Sequence, residues 1–321
     1  MRTPLASVFA ALVRPHLPAA AALVILGASA QPQTTTPTAT PPTATPATST
    51  PATSQPAWTK LTTEPHRGKQ DDIYFVSKDV GWYVNGGGKV FSTDDGGATW
   101  IQRVHKLGTF FRCVGFVDEK TGFAGNIGPD YFPDVSDDTP LYRTDDGGTT
   151  WTPVVVSGDP VKGLCAIEVV RYPFISAGNL DTKTLLVAAG RVGGPTSLLF
   201  SHELGKTWTA KDMAAHCGMI LDVHFFSDRI GILAAASSSD VQQSNALILR
   251  TEDGGATWTK VYRSARSFET TWKISFPTPE TGYVTIQSYN PDTTASKRIV
   301  AKTTDGGKTW VELPMVDDHG V

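Results

Sequence analysis

The stretch Thr93-Asp-Asp-Gly-Gly-Ala-Thr-Trp100 returns four more times in this chain. The later copies are Thr144-Asp-Asp-Gly-Gly-Thr-Thr-Trp151, Ser201-His-Glu-Leu-Gly-Lys-Thr-Trp208, Thr251-Glu-Asp-Gly-Gly-Ala-Thr-Trp258 and Thr303-Thr-Asp-Gly-Gly-Lys-Thr-Trp310. The tryptophans stand 51, 57, 50 and 52 residues apart, a period that marks a repeat architecture. Asp95, Asp146, Asp253 and Asp305 can fold back to accept hydrogen bonds from nearby backbone N–H groups and close a hairpin turn; Glu203 holds that place in the third copy. Gly97, Gly148, Gly205, Gly255 and Gly307 supply the positive φ of a tight turn. Trp100, Trp151, Trp208, Trp258 and Trp310 then open the next strand and bury a ring against a neighbouring sheet. The acidic residues and tryptophans of these boxes read as structural.

Outward from each motif, one pattern of four short apolar segments recurs. In the first unit Ile73-Tyr-Phe-Val reads as strand a, Gly81-Trp-Tyr-Val as strand b, Lys89-Val-Phe-Ser as strand c and Thr99-Trp-Ile-Gln-Arg as strand d. Val114-Gly-Phe-Val, Ile167-Glu-Val-Val, Val223-His-Phe-Phe and Ile274-Ser-Phe-Pro are the a strands of the later units. Short alternating strands with turn signals at fixed offsets predict antiparallel sheets repeated radially. Four strands per repeat predict an all-β fold, a β-propeller of four-stranded antiparallel blades. No run has the period of 3.6 that a helical solenoid requires.

Five full blades are visible. Ala57-Trp-Thr-Lys-Leu resembles a d strand without its Asp box, which predicts an N-terminal closing strand that completes the last blade and leaves no open edge. The a, b and c strands of that blade would have to follow Leu313, and residues 314–321 are too few. The expectation is a propeller over residues 57–321, truncated at its C-terminal end and poorly closed, with six or more blades in a complete chain. A five-bladed ring with one extra strand is the alternative.

The unit Phe116-Val-Asp-Glu-Lys-Thr-Gly-Phe, followed by Tyr142-Arg-Thr-Asp-Asp-Gly-Gly-Thr-Thr-Trp, resembles the Asp-box (BNR) propeller families, and most of all the photosystem II stability/assembly-factor-like branch. The resemblance covers about residues 57–314. It implies the propeller fold and a non-catalytic helper in building or stabilising membrane-associated complexes. Asp boxes also occur in sialidases and sortilin-type receptors, so the motif implies fold and leaves activity open.

Ahead of the repeats, residues 1–30 read as a cleavable signal peptide: Arg2 and Arg14, a short apolar run from Leu17 to Gly27, then Ala28-Ser29-Ala30. The run is shorter than the roughly 20 residues of a membrane helix; an uncleaved anchor is the rival reading. Residues 31–56 are almost wholly Thr, Pro, Ala and Ser, a composition that predicts a disordered linker. The chain is thus expected to be exported, to the periplasm or the exterior. A net charge of −3 excludes a global field for nucleic acid or anionic membrane.

Function in a repeat scaffold sits on loops that depart from the repeat. These are the b–c loops, short at Asn85-Gly-Gly-Gly and long and acidic from Asn126 to Pro140, which with the d–a connections form the face opposite the Asp boxes. Aligning the innermost strands sets Tyr74, Gly115, Glu168, His224 and Ser275 at one level of the central channel, and Asp72, Cys113, Ala166, Asp222 and Lys273 at another. Glu168, Asp222, His224 and Lys273 are costly to bury without partners. With Arg112, Arg191 and Arg67 they form the candidate binding set; the other reading is a water-filled channel lined by satisfied side chains.

Two functions remain open. One is a binding module that holds a protein or peptide. The other is a sialidase-like glycoside hydrolase acting on glycans, for which Glu168 and Asp222 are the only carboxylate pair to test. The Arg-Ile-Pro sequence implied by a sialidase resemblance is missing, and no nucleophile elbow, P-loop or HExxH is present. No cofactor is expected. The acidic loop at Asp130–Asp138 has carboxylates for calcium but not EF-hand spacing, and no metal site is assigned. Cys113, Cys165 and Cys217 lie 52 residues apart; Cys113 with Cys165 is the one pair suited to a disulfide, and an odd count leaves a thiol over.

Overall fold

A computed structural model describes residues 70–296 and 298–315. The expected signal peptide, the linker, the closing strand at Ala57–Leu61 and Arg67 lie outside the described residues.

Each repeat folds as a four-stranded antiparallel sheet, as the spacing predicts. Blade 1 is β1 (Gln70–Phe75), β2 (Gly81–Asn85), β3 (Lys89–Thr93) and β4 (Ile101–His105), in that order from the centre outward. Blade 2 is β5 (Phe111–Phe116), β6 (Gly122–Asn126), β7 (Leu141–Thr144) and a two-residue β8 (Thr152–Pro153). The chain then lays β9 (Val156–Gly158) parallel along the outer edge of blade 3, whose own strands are β10 (Ala166–Ser176), β11 (Asn179–Gly190), β12 (Ser197–Ser201) and β13 (Trp208–Asp212). Blade 4 is β14 (Met219–Phe225), β15 (Gly231–Ala236), β16 (Ala246–Thr251) and β17 (Thr259–Arg263). Blade 5 is β18 (Glu269–Ser275), β19 (Gly282–Ser288), β20 (Ile299–Thr303) and β21 (Val311–Pro314). The only described helix is the single 3-10 turn Val241–Gln243, so no described helix is long and apolar enough to cross a membrane.

The Asp boxes behave as their chemistry requires. Asp146 Oδ1 accepts from the N–H groups of Thr149 and Thr150, at 3.0 and 2.9 Å, and from the Thr144 hydroxyl at 2.8 Å. These bonds hold the Asp95, Asp146 and Asp253 carboxyls at about 2, chiefly through the hydroxyl of the Thr four residues on. The third box is the exception. Glu203 reaches only the Thr207 hydroxyl, at 3.3 Å, and Leu204 adopts φ 54° where the other boxes place a glycine.

In the third and fifth boxes the second glycine, Gly205 or Gly307, is required twice over. A Cβ at Gly205 would stand 1.9 Å from the Phe123 ring of blade 2, at φ 77°. The second to fifth boxes thus seat their turns against the preceding blade. Trp82 of blade 1 stacks on Phe116 of blade 2, with centroids 3.5 Å apart, and donates its indole N–H to Gly147 O. Apolar clusters of this kind join blades 1 and 2, 2 and 3, 3 and 4, and 4 and 5. Among the box tryptophans only Trp208 is fully buried, at 1% exposure; the other four are half-buried.

Candidate functional site at the channel mouth

The innermost strands carry a β-bulge at the same place in four blades: in β1 at Asp71, in β5 at Arg112, in β14 at Leu221 and in β18 at Trp272 and Lys273. A bulge interrupts strict alternation and re-aims a side chain. Strict alternation therefore predicts the wrong neighbours here. Asp71 and Arg112 meet as a buried ion pair, and the Arg112 guanidinium lies 4.9 Å from the centre of the Trp272 ring. Three blades thus supply one floor. Leu221, Cys165, Met219 and Ile127 pack around it as an apolar cluster that includes Trp272. Asp71 Oδ2 also accepts from the Gly86 N–H, tying the floor to the first b–c loop.

The rim above this floor is aromatic. Phe110, on the d–a connection, stacks on Phe132 of the long b–c loop at 4.7 Å and 6°, and Tyr131 meets Phe132 edge-on at 4.7 Å. Gly86 is where it is because a Cβ there would lie 2.5 Å from the Phe110 ring; Gly193 of the third b–c loop stands in the same relation to Tyr131. From blade 5, Tyr289 follows β19 and donates its backbone N–H to Phe268 O at 2.7 Å, and burial raises its hydroxyl pKa to about 12, with smaller contributions from Tyr131 and Arg112. Tyr131, Phe132 and Tyr289 are 43%, 37% and 41% exposed, and burial raises the pKa of both tyrosine hydroxyls, so these residues stand partly in solvent and partly against their neighbours.

The two aligned channel levels are largely occupied by bonds between blades. Asp72 Oδ2 accepts from the Val114 N–H at 3.0 Å, Glu168 Oε2 from the Phe225 N–H at 2.6 Å and Asp222 Oδ2 from the Ile274 N–H at 2.9 Å. Each carboxylate thus staples its inner strand to that of the next blade. Glu168 Oε1 pairs with His224 Nδ1 at 2.8 Å, and the imidazole stacks on Phe276 at 4.9 Å. Lys273 Nζ stands 3.6 Å from Asp72 and 3.9 Å from Asp222, linking blades 5, 1 and 4.

Of the sequence-predicted set, Lys273 comes together with Asp222 and Glu168 with His224, while Arg112 pairs with Asp71 beside Trp272. Arg191 is buried but faces the loops: its guanidinium donates to the carbonyls of Gly194, Ile127 and Pro129 at 2.7, 2.9 and 2.7 Å, so it orders two b–c loops. Asp71, Trp272, Tyr131, Phe132 and Tyr289 were absent from that set. The bulges hid the first two, and the rim rings could be found only by reading the b–c loops for aromatics as well as for charge.

The acidic loop is committed to structure. Asp130 pairs with Lys162, and Asp137 accepts from the Tyr142 hydroxyl, Thr109 and the Thr139 N–H. Among the described residues no group of three metal-ligating side chains forms. The cysteines are all buried and free. Cys113 packs with Leu164 while Cys165 turns the other way, toward Val192 and the apolar cluster of the floor, because neighbouring residues on extended chain point to opposite sides. Two further clefts open between blades 3 and 4 and between blades 1 and 2, but they are lined by Asp-box turns and lie away from this chemistry.

No family model matches the chain, and no curated protein matches it. Solved structures do. An ancestral GH74 enzyme superposes with a TM-score of 0.51 at 14% identity, over 77% of this chain and 31% of that one. The structure described as YCF48 bound to D1 peptide gives a TM-score of 0.41 at 15% identity, over 76% and 80% of the two chains. YCF48 from Cyanidioschyzon merolae gives 0.43 at 18%, over 78% and 71%. The chain spans about a third of the GH74 enzyme's length. With five sheets, four of four strands and one of five, whose innermost strands lie side by side, this protein is a β-propeller.

Proposed function

We propose that this protein is an exported, non-catalytic propeller that binds a protein or peptide partner at the channel mouth. The observation that carries the reading is the rim of Tyr131, Phe132 and Tyr289, rings more than a third exposed over the Arg112–Trp272 floor. Exposed aromatics around a buried arginine are the composition of interface anchors. Both oxygens of Glu168 are engaged, and Asp222 is tied to the Ile274 N–H, which supports binding over glycoside cleavage by that pair. Export rests on the basic start, the apolar run and the small-residue site at 28–30.

The test is a photo-crosslinking phenylalanine analogue placed at Phe132, with the same analogue at Ala98 on the Asp-box face as control. In the native exported fraction, one discrete adduct is expected from position 132 and none from position 98. The adduct should disappear when Tyr131 and Tyr289 are changed to serine. Equal labelling at both positions, or none at 132, would remove the proposal.

A further inference from the structure

Blade 3 carries an element that the other blades lack. Its first hairpin continues well past the blade, in unbroken register from Ala166↔Ala189 to Ser176↔Asn179, and turns through Ala177 and Gly178 at φ 48° and 81°. In a two-residue hairpin the pair flanking the turn exchanges both of its backbone hydrogen bonds. By that parity Asn179, Asp181 and Lys183 bond to β10, while Leu180, Thr182 and Thr184 direct their N–H and C=O groups outward. Two observations agree. The residue opposite Thr182 is Pro173, which has no N–H to give, and the Thr182 N–H is taken by its neighbour's carboxylate, Asp181 Oδ1, at 2.7 Å.

From Leu186 onward β12 occupies this edge. Leu180-Asp181-Thr182-Lys183-Thr184 is left as an edge with no strand beside it among the described residues, and its first four residues are exposed. The far edge of the ribbon is blunted by Pro173, a usual guard against strand pairing. This edge has neither proline nor bulge.

We propose that the edge pairs with the same edge of a second copy of the chain, antiparallel about a two-fold axis through Thr182. Charge sets the register. Centred on Thr182, the pairing places Asp181 opposite Lys183 of the second copy and Lys183 opposite its Asp181; centring on Asp181 or Lys183 would set like charges face to face. Thr182 then meets its own counterpart as a hydrogen-bonded pair, and Leu180 meets Thr184, so the outward backbone groups are those that the ladder uses. Asp181 gives up the Thr182 N–H and gains a lysine. Such a contact is isologous and closes at two copies. It also joins Ile175 and Leu180 of both copies into one face of a four-stranded ribbon; they are 76% and 78% exposed in the single chain.

Sedimentation of the full chain over a concentration series tests this. A dimer whose fraction rises with concentration is expected. Asp181→Lys and Lys183→Asp should each be monomeric, because like charges then face each other, and a one-to-one mixture of the two should dimerise again. Unchanged melting of both variants would show that the blades are intact, since these side chains are exposed. A wild type that stays monomeric at every attainable concentration would overturn the proposal. So would a dimer that both substitutions leave unchanged, or variants that fail to associate when mixed.

Discussion

At the scale of single residues, the Asp-box carboxylates make a prediction about acid. Asp95, Asp146 and Asp253 sit near 2, below an unfolded carboxyl near 3.9. A depressed value contributes stability that is complete above the unfolded pKa and is lost as pH falls through the folded one. Urea midpoints should therefore hold steady down to about pH 4 and then drop toward about pH 2. Asp146→Asn should lower the midpoint at pH 7 and flatten the drop. These groups are exposed, so each contributes modestly. Gly205→Ala tests a different cause. Its positive φ costs about 1–2 kcal/mol and overpacking against Phe123 about 1–3 kcal/mol more, so thermal melts should show a loss well beyond that of a surface change.

At the scale of elements, blades are joined by packing and by charge. Trp208→Ala, deleting the one fully buried box tryptophan, should cost about 3–5 kcal/mol in denaturant melts. Removing one partner of the buried Asp71–Arg112 pair should cost about 3–5 kcal/mol, because the other charge is left uncompensated. In a double-mutant cycle, Asp71→Asn with Arg112→Met should cost less than the sum of the two single changes, and strict additivity would show that the pair does not act as a unit. The repeats, their four strands and the Asp-box turns were legible because period, turn chemistry and alternation all agree. The long β10–β11 ribbon was not. Its Arg171-Tyr-Pro-Phe-Ile segment carries a proline that demotes a strand reading, and it shows only as the one long step between Trp151 and Trp208.

At the scale of the whole molecule, the mouth and its floor draw on all five described blades, and no single repeat contains them. Phe132→Ala should change stability by about 1 kcal/mol, since its ring is partly exposed and loses one stacked contact. It should nonetheless abolish partner crosslinking from a neighbouring analogue at Tyr131. Glu168→Gln should act in the opposite sense: it weakens the blade 3 to blade 4 staple and lowers the melting temperature while leaving crosslinking at the mouth intact. Loss of both readouts together in either variant would show that the mouth and the staples are not separable.

The amino-acid sequence by itself determined the fold of this protein, because turn-closing carboxylates, left-handed glycines and strand alternation are local and repeat at a constant period. Most of the charged channel residues were also visible, since alignment of equivalent strands brings them into one frame. Tertiary structure alone decided what those residues do. The bulges re-aim Asp71, Arg112 and Trp272 into one floor, the carboxylates find backbone N–H groups in the next blade, and loops from separate repeats bring Phe132, Tyr131 and Tyr289 around one opening. These partners lie tens to hundreds of residues apart in the chain, and only closing one blade on the next fixes which of them meet.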